Sequence, residues 1–346
     1  MGNVAHVSKR LNHRAIRAYV EAEIDGCDQC RAADADCFVS DILDSLTVPR
    51  KYHRYTCKRL CCPRCEAGLY QNSWVMRCDA EERRYRQFVA HCSVKYGPQL
   101  RDFEHHLSRF PSLGMQHRLG KSIWRAISRF PAKTMRLERF IRVRRFDVGS
   151  ELAQIKREGM GAPDPMICHI SGGRYNHEGQ SFLYLSSDEA TGIVETFDRP
   201  DSERPLTGTC AIQEFEVRNL DRVLALTQRD HASLLYSALV HEGTLSREII
   251  HSSSWKPEYL VPRFVADVAR AKGFKAMLYQ TSKVYYAQGL NLVVFEHKTG
   301  GILETGDLTI WERVARSGET GLGFDVTWYE VVRRDDLTAR GSLSGA

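Results

Sequence analysis

The sequence predicts an α+β protein, a mostly helical, zinc-containing N-terminal domain followed by a strand-rich C-terminal domain. Three observations lead there. Seven of the eleven cysteines fall between residues 27 and 65. Residues 66–140 carry apolar side chains at a period of about 3.6, and from Phe140 onward short runs alternate apolar with polar residues. A chain of 346 residues has room for two or three domains, because single cores stop growing near 250 to 300. The charge divides the same way: residues 1–150 hold 28 Lys and Arg against 16 Asp and Glu, residues 151–346 hold 21 against 27.

No apolar run follows the basic start, and no stretch approaches the roughly 18 apolar residues of a spanning helix, so a cytoplasmic protein without membrane contact is expected. Without a secretion signal, clustered cysteines point to metal and not to disulfides. Cys27-x-x-Cys30 and Cys62-Pro-Arg-Cys65 are two knuckles with 31 residues between them, and thiolate pairs at that spacing complete a tetrahedral zinc site. Cys37, His53, Cys57 and Cys61 are alternative donors close by. Four cysteines leave no coordination position open, so this zinc would be structural.

Beyond the cysteines the helical pattern breaks at Gly97-Pro98, Pro111 and Pro131, with no strand alternation. Residues 118–145 hold ten Arg or Lys and one acid, Glu138, which suits either a solvated helical face or contact with nucleic acid. Gly114-x5-Gly120-Lys121-Ser122 has one residue too many for a phosphate loop and reads as coincidence. Arg101-x4-His106 matches a loose Arg/His pattern of helical ribonucleases and reads mainly as surface chemistry.

At Phe140 the pattern changes, and Phe-Ile-Arg142-Val-Arg-Arg-Phe146 reads as a strand, placing a boundary between domains 1–139 and 140–335. A polar loop over 147–168 follows, then the turn Ser171-Gly-Gly-Arg174 into the strand Phe182–Leu185. Ser186 with Glu189 fits a capping box for a helix over about 188–198. A strand near Cys210–Val217 precedes a helical, His- and Ser-rich insertion at 220–255. An amphipathic helix over Tyr259–Lys272, ended by Gly273, leads into strands Lys275–Tyr279 and Asn291–Phe295 with the turn Gln-Thr-Ser282 between them. Residues 336–346 read as a disordered tail.

Arg174 in Gly-Gly-Arg-Tyr-Asn176, Tyr184 in Leu-Tyr-Leu-Ser, Glu195 in Ala-Thr-Gly-Ile-Val-Glu and Ser282 in Tyr-Gln-Thr-Ser stand in the order and context of one family. Residues 140 to 297 resemble the RES domain, named for an Arg, a Glu and a Ser. Tyr184 matches that family's active-site tyrosine and Arg142 its early arginine. The resemblance implies a fold similar to mono-ADP-ribosyltransferases with a mixed or antiparallel β core, and consumption of NAD, often by a growth-arresting toxin neutralised by an antitoxin. The cysteine-rich extension resembles the N-terminal parts labelled HEPN/RES in longer members. Tyr175 replaces the Trp common after the arginine.

The residue types suit that chemistry. Breaking the nicotinamide–ribose bond builds an oxocarbenium-like cation that a carboxylate such as Glu195 stabilises. The planar fork of Arg174, with Arg142 in support, matches pyrophosphate oxygens. Tyr184 can stack on nicotinamide, and Asn176 and Ser282 can orient ribose or amide. Three activities remain open: an NAD glycohydrolase or phosphorylase, an ADP-ribosyltransferase acting on a macromolecule, and a zinc-dependent nucleic-acid binder or HEPN-like ribonuclease. The basic N-terminal part is expected to be a regulatory or docking module for a partner protein or nucleic acid.

Overall fold

A computed structural model describes residues 13–31, 34–146, 157–166, 173–196, 208–227, 233–240, 259–281, 289–295, 301–313 and 330–332. Ser282, residues 228–232 and 241–255 of the 220–255 insertion and the tail from 336 lie outside them. The chain divides into two compact units, Met1–Asp102 and Phe103–Ala346. Residues 103–139, assigned to the N-terminal half on sequence, therefore cluster with the C-terminal part.

The first unit opens with α1 (His13–Glu21), which buries Ala15, Ile16 and Val20 on one face. β1 (Ile24–Cys27) leads into the short α2 (Asp28–Arg31), then β2 (Cys37–Phe38) into α3 (Val39–Ser45). The Asp41 carboxylate accepts from the Phe38 backbone N–H at 2.9 Å, satisfying a donor at the start of α3. α4 (Arg50–Cys57) starts immediately after Pro49, and β3 (Trp74–Arg77) pairs antiparallel with both earlier strands in the order β1-β3-β2. This small sheet was not legible in the sequence because its strands are two to four residues long. Ile16, Val20, Ile24, Val39, Ile42, Leu43 and Val75 form its core.

The 30-residue α5 (Ala80–Arg109) corrects a second expectation, since it runs through Pro98 without ending. Proline costs one backbone hydrogen bond, but apolar residues on both sides of it, Ala90 and Cys92 before and Leu100, Phe103 and Leu107 after, are buried and hold the helix.

The second unit continues with α6 (Arg118–Ser128), β4 (Lys133–Met135) and β5 (Glu138–Phe146). Then come β6 (Leu183–Ser186), α7 (Glu189–Thr196), β7 (Gly208–Val217), β8 (Leu220–Leu226), α8 (Ser233–Val240) and α9 (Leu260–Ala271). β9 (Ala276–Gln280), β10 (Leu290–Val294), β11 (Ile302–Arg313) and β12 (Glu330–Val332) complete it. Among the described residues nine strands form one mixed sheet, β12-β11-β7-β5-β6-β10-β9-β8-β4, in which β8 and β9 are parallel and the other pairs antiparallel. Residues 220–226, expected to open a helical insertion, are instead a strand: Leu220, Val223, Leu224 and Leu226 are buried between β9 and β4.

One face of the sheet carries Phe140, Leu183, Leu185, Phe215, Ala276, Leu278, Leu292 and Val294 in a single core. On the other face α7 packs through Ile193 against Ile141, Val143, Cys210 and Ile212. Gly192 permits this approach, since a Cβ there would stand 2.6 Å from Val143 Cγ2. Gly114 and Gly120 have a similar packing explanation. A Cβ on Gly114 would meet the Phe264 ring of α9 at 2.5 Å, and one on Gly120 the Gly114 carbonyl at 2.0 Å. They serve helix contact, in keeping with the reading of that glycine pattern as coincidence.

Candidate active site and metal centre

The register of three adjacent strands makes the site. Ser186 on β6 lies opposite Asn291 on β10, which lies opposite Tyr279 on β9. All three share the face on which α7 packs. The row is polar beside the buried apolar residues of these strands, and hydrogen bonds explain why it is tolerated. Ser186 Oγ donates to Asn291 Oδ1 at 2.9 Å, which fixes the amide so that Asn291 Nδ2 donates to Glu195 Oε1 at 2.7 Å. Thr281, two residues past Tyr279 and fully buried, donates its hydroxyl to the same Oε1 at 2.5 Å. Two donors on one oxygen fix the carboxylate plane, and Oε2 has no hydrogen bond among the described residues.

Glu195 is presented by α7, and the cap of that helix differs from the capping box expected at Ser186. Asp188 is the cap. Its carboxylate accepts from Thr191 N at 2.8 Å, Thr191 Oγ1 at 2.8 Å and Ser187 Oγ at 2.7 Å. Partial burial would raise its pKa, but these hydrogen bonds outweigh burial and hold it below the usual carboxylate range. Gly289 lies against this cap, where a Cβ would stand 2.0 Å from Thr191 Oγ1.

The loop after Gly173 brings Arg174, Tyr175 and Asn176 beside these strands. Asn176 is saturated: Oδ1 accepts from Tyr184 Oη at 2.6 Å and Gly173 N at 3.0 Å, and Nδ2 donates to the carbonyls of Gln180 at 2.9 Å and His177 at 3.2 Å. Its observed work is to fold the loop. The Tyr184 hydroxyl also accepts from Tyr175 N at 3.2 Å, so both its functions serve that loop while its ring remains half-buried. α9 ties the loop from outside, with Arg263 Nε donating to the Gly173 carbonyl at 3.0 Å and Asp267 pairing with His177 Nε2 at 2.8 Å.

Tyr175 is buried between Tyr184 and Tyr279, with ring centroids 6.4 and 4.9 Å away. Burial pushes all three hydroxyls above their ordinary range. On Tyr175 the nearby Arg174 guanidinium pulls down and Glu195 pushes up; both also act on Tyr279. The cation and the carboxylate thus approach one pair of neutral tyrosines. Arg174 and Arg263 both lie over the ring of Tyr259, at 5.9 and 5.6 Å.

Arg142 stands elsewhere. It faces Gln213 in the β5–β7 register and alternates with Ile141 and Val143, which back α7, so it projects to the opposite face of the sheet and is buried there. Thr281, Asn291 and Tyr279 were not singled out from sequence, and Ser186 was read only as a helix cap. The available signal was a polar residue at the edge of each apolar strand.

In the first unit the sulfurs of Cys27, Cys30, Cys62 and Cys65 all lie within 4.8 Å of one another. Cys27 is 4.0 Å from Cys30 and 3.5 Å from Cys65, and Cys30 is 3.7 Å from Cys62. A tetrahedral ion with bonds of about 2.3 Å needs sulfurs about 3.8 Å apart, so the cluster can hold a metal. The second knuckle turns through Glu66 at φ 61°, with Cys62 N donating to Ala67 O and Glu66 N to Cys62 O. Arg64 inside that knuckle reaches both carboxylate oxygens of Asp25, at 3.1 and 2.9 Å, bracing it against the strand that presents Cys27. Cys37, Cys57, Cys61 and His53 are outside the cluster. His53 instead bonds the Val48 carbonyl at 2.7 Å, and burial pushes the Cys57 thiol up to about 11.

The second unit thus holds a helix-borne carboxylate braced by two strands, beside an arginine loop and buried tyrosines. Residues 155–310, just under half of the chain, match the model of the RES domain family. The RES domain is associated in general terms with NAD use and with toxins. The match does not extend to the N-terminal cysteine-rich part. No curated protein matches the chain. Among the described residues no helix is long and apolar enough to cross a membrane.

Proposed function

We propose that the RES domain cleaves the bond between nicotinamide and ribose in NAD, as a glycohydrolase or phosphorylase, and acts as a growth-arresting toxin or defence effector. The observation that carries this reading is the fixed Glu195 carboxylate, with Oε1 anchored by Thr281 and Asn291 and Oε2 left to a ligand. In the reaction the glycosidic electron pair leaves with nicotinamide, which departs neutral. The ribose carbon becomes cationic, Glu195 stabilises it, and water or phosphate adds there with loss of a proton.

Arg174 holds the pyrophosphate and the Tyr184 ring orients nicotinamide. Ser282 follows the buried Thr281 directly and orients ribose or amide. Asn176, with its hydrogen-bonding capacity spent, serves by shaping the loop, and Arg142 serves from the far side of the sheet. The mixed sheet fits the ADP-ribosyltransferase-like fold implied by the family. An acceptor side chain in place of water would make the same site an ADP-ribosyltransferase. The cysteine cluster takes zinc in a structural role, because all four ligands are protein thiolates.

The test is to mix purified protein with NAD and measure free nicotinamide and ADP-ribose, with and without phosphate. Free ADP-ribose indicates hydrolysis, its 1-phosphate indicates phosphorolysis, and label on protein or nucleic acid indicates transfer. No nicotinamide release under any condition would overturn the proposal.

A further inference from the structure

The first unit has a groove of its own. Its volume is about 620 Å³, and Arg54, Tyr55, Cys57, Lys58, Tyr70, Gln71 and Asn72 line it. Two features set it apart from an ordinary surface depression. Tyr55 and Tyr70 are 66% and 67% exposed, an unusual cost for two aromatic rings on the walls of one cleft. One face of Tyr55 is stacked by His13, at 5.2 Å and 24°, which sets the orientation of its ring.

The charge is one-sided. Residues 45–65 contain six Arg or Lys and no acid. Of these Arg64 is committed to Asp25, while Arg54 and Lys58 are exposed and form no ion pair among the described residues. Gln71 and Asn72 are exposed and add carboxamides at the rim. Their turn is set from both sides, with Ser40 N donating to the Gln71 carbonyl at 2.9 Å and Tyr70 N to Ser73 Oγ at 2.9 Å. The groove is therefore built on the fold that surrounds the four cysteines: α4 supplies one wall, and the turn before β3 the other.

We propose that this groove binds a single-stranded nucleic acid, its bases stacking on Tyr55 and Tyr70 and its phosphates meeting Arg54 and Lys58. Aromatic faces next to unpaired cations are what an unpaired strand requires, since every base offers a π face and every nucleotide a charge. A duplex, whose bases are stacked on one another, cannot use the two rings. Gln71 and Asn72 can bond exposed base edges, which a strand presents and a helix conceals. This inference does not depend on the reaction of the second unit.

The experiment is fluorescence anisotropy of the full-length, metal-loaded protein with labelled oligo-uridylate, oligo-thymidylate and a duplex of matched length, over a range of salt. Wild type should bind one or both single strands at least about 10-fold more tightly than duplex. Tyr55→Ala and Tyr70→Ala should each weaken binding about 10-fold. The double variant Arg54→Gln, Lys58→Gln should lower the slope of log affinity against log salt by about 1.4, two released counterions for a single strand. All four side chains are exposed, so thermal melting and metal content should stay at wild-type values and serve as the folding control. Absence of single-strand binding at low salt, equal affinity for duplex, or unchanged binding in the tyrosine variants would each overturn the proposal.

Discussion

Asn291 Nδ2 and Glu195 Oε1 are 2.7 Å apart, a contact that joins a central strand to the helix α7 across 96 positions of sequence. Asn291 is itself held by Ser186 at 2.9 Å, so the carboxylate is oriented by a chain of fixed partners. Preorganisation of this kind acts on the transition state more than on binding. Asn291→Ala is expected to lower kcat for NAD cleavage about 10-fold with little change in KM. A change confined to KM would show that Asn291 contacts substrate and does not act through Glu195.

Gly173→Ala should damage the arginine loop. The new Cβ would stand 2.4 Å from Asn176 Oδ1 and 2.8 Å from Tyr184 Oη, and these two atoms are already bonded to each other at 2.6 Å. Neither can yield without breaking that bond. A loss of about 1–3 kcal/mol in stability and a raised KM for NAD are expected, measured by denaturant titration and by initial rates. Wild-type values in both would mean that the loop is not fixed as described.

The cap of α7 predicts a pH dependence. The Asp188 carboxyl is held below its ordinary value, so the stabilisation it supplies is complete above the unfolded value of about 3.9 and is lost as pH falls through the lower folded value. Asp188→Ala should cost about 1 kcal/mol at neutral pH. The difference in stability from wild type should shrink toward zero in strong acid, and a gap independent of pH would contradict the assignment.

Much of the chemistry could be read locally and much of the geometry could not. The four cysteines sit in two CxxC pairs, where spacing alone defines the knuckles. Glu195 and Arg174 stand in recognisable stretches, yet Thr281 and Asn291 meet Glu195 from 86 and 96 positions away, and only strand register brings them together. Arg142 shows the same limit. Alternation places it opposite in sense to Ile141 and Val143, but sequence parity does not say which face α7 will cover. Pro98 misled because breaking power is local while the burial that holds α5 on both sides is not. Asp188 and Ser186 are both competent caps by residue type. Ser186 bonds Asn291 instead, a tertiary partner that no local rule weighs.

Metal should stabilise the first unit. About one zinc per chain is expected by elemental analysis, and Cys27→Ser should lose it, as should Cys65→Ser. Chelation should lower the melting temperature of wild type and leave the already destabilised variants unmoved. Purified protein without metal but fully stable would contradict the structural role.

The most direct test of the central claim is nicotinamide release from NAD by wild type and by Glu195→Gln, with binding of NAD measured on the same samples. The substitution keeps an acceptor for Thr281 and Asn291 while removing the negative charge, so NAD affinity should persist and turnover fall about 100-fold or more. Turnover by Glu195→Gln at the wild-type rate would contradict the account, because the carboxylate that the fold takes such care to orient would then have no part in the chemistry.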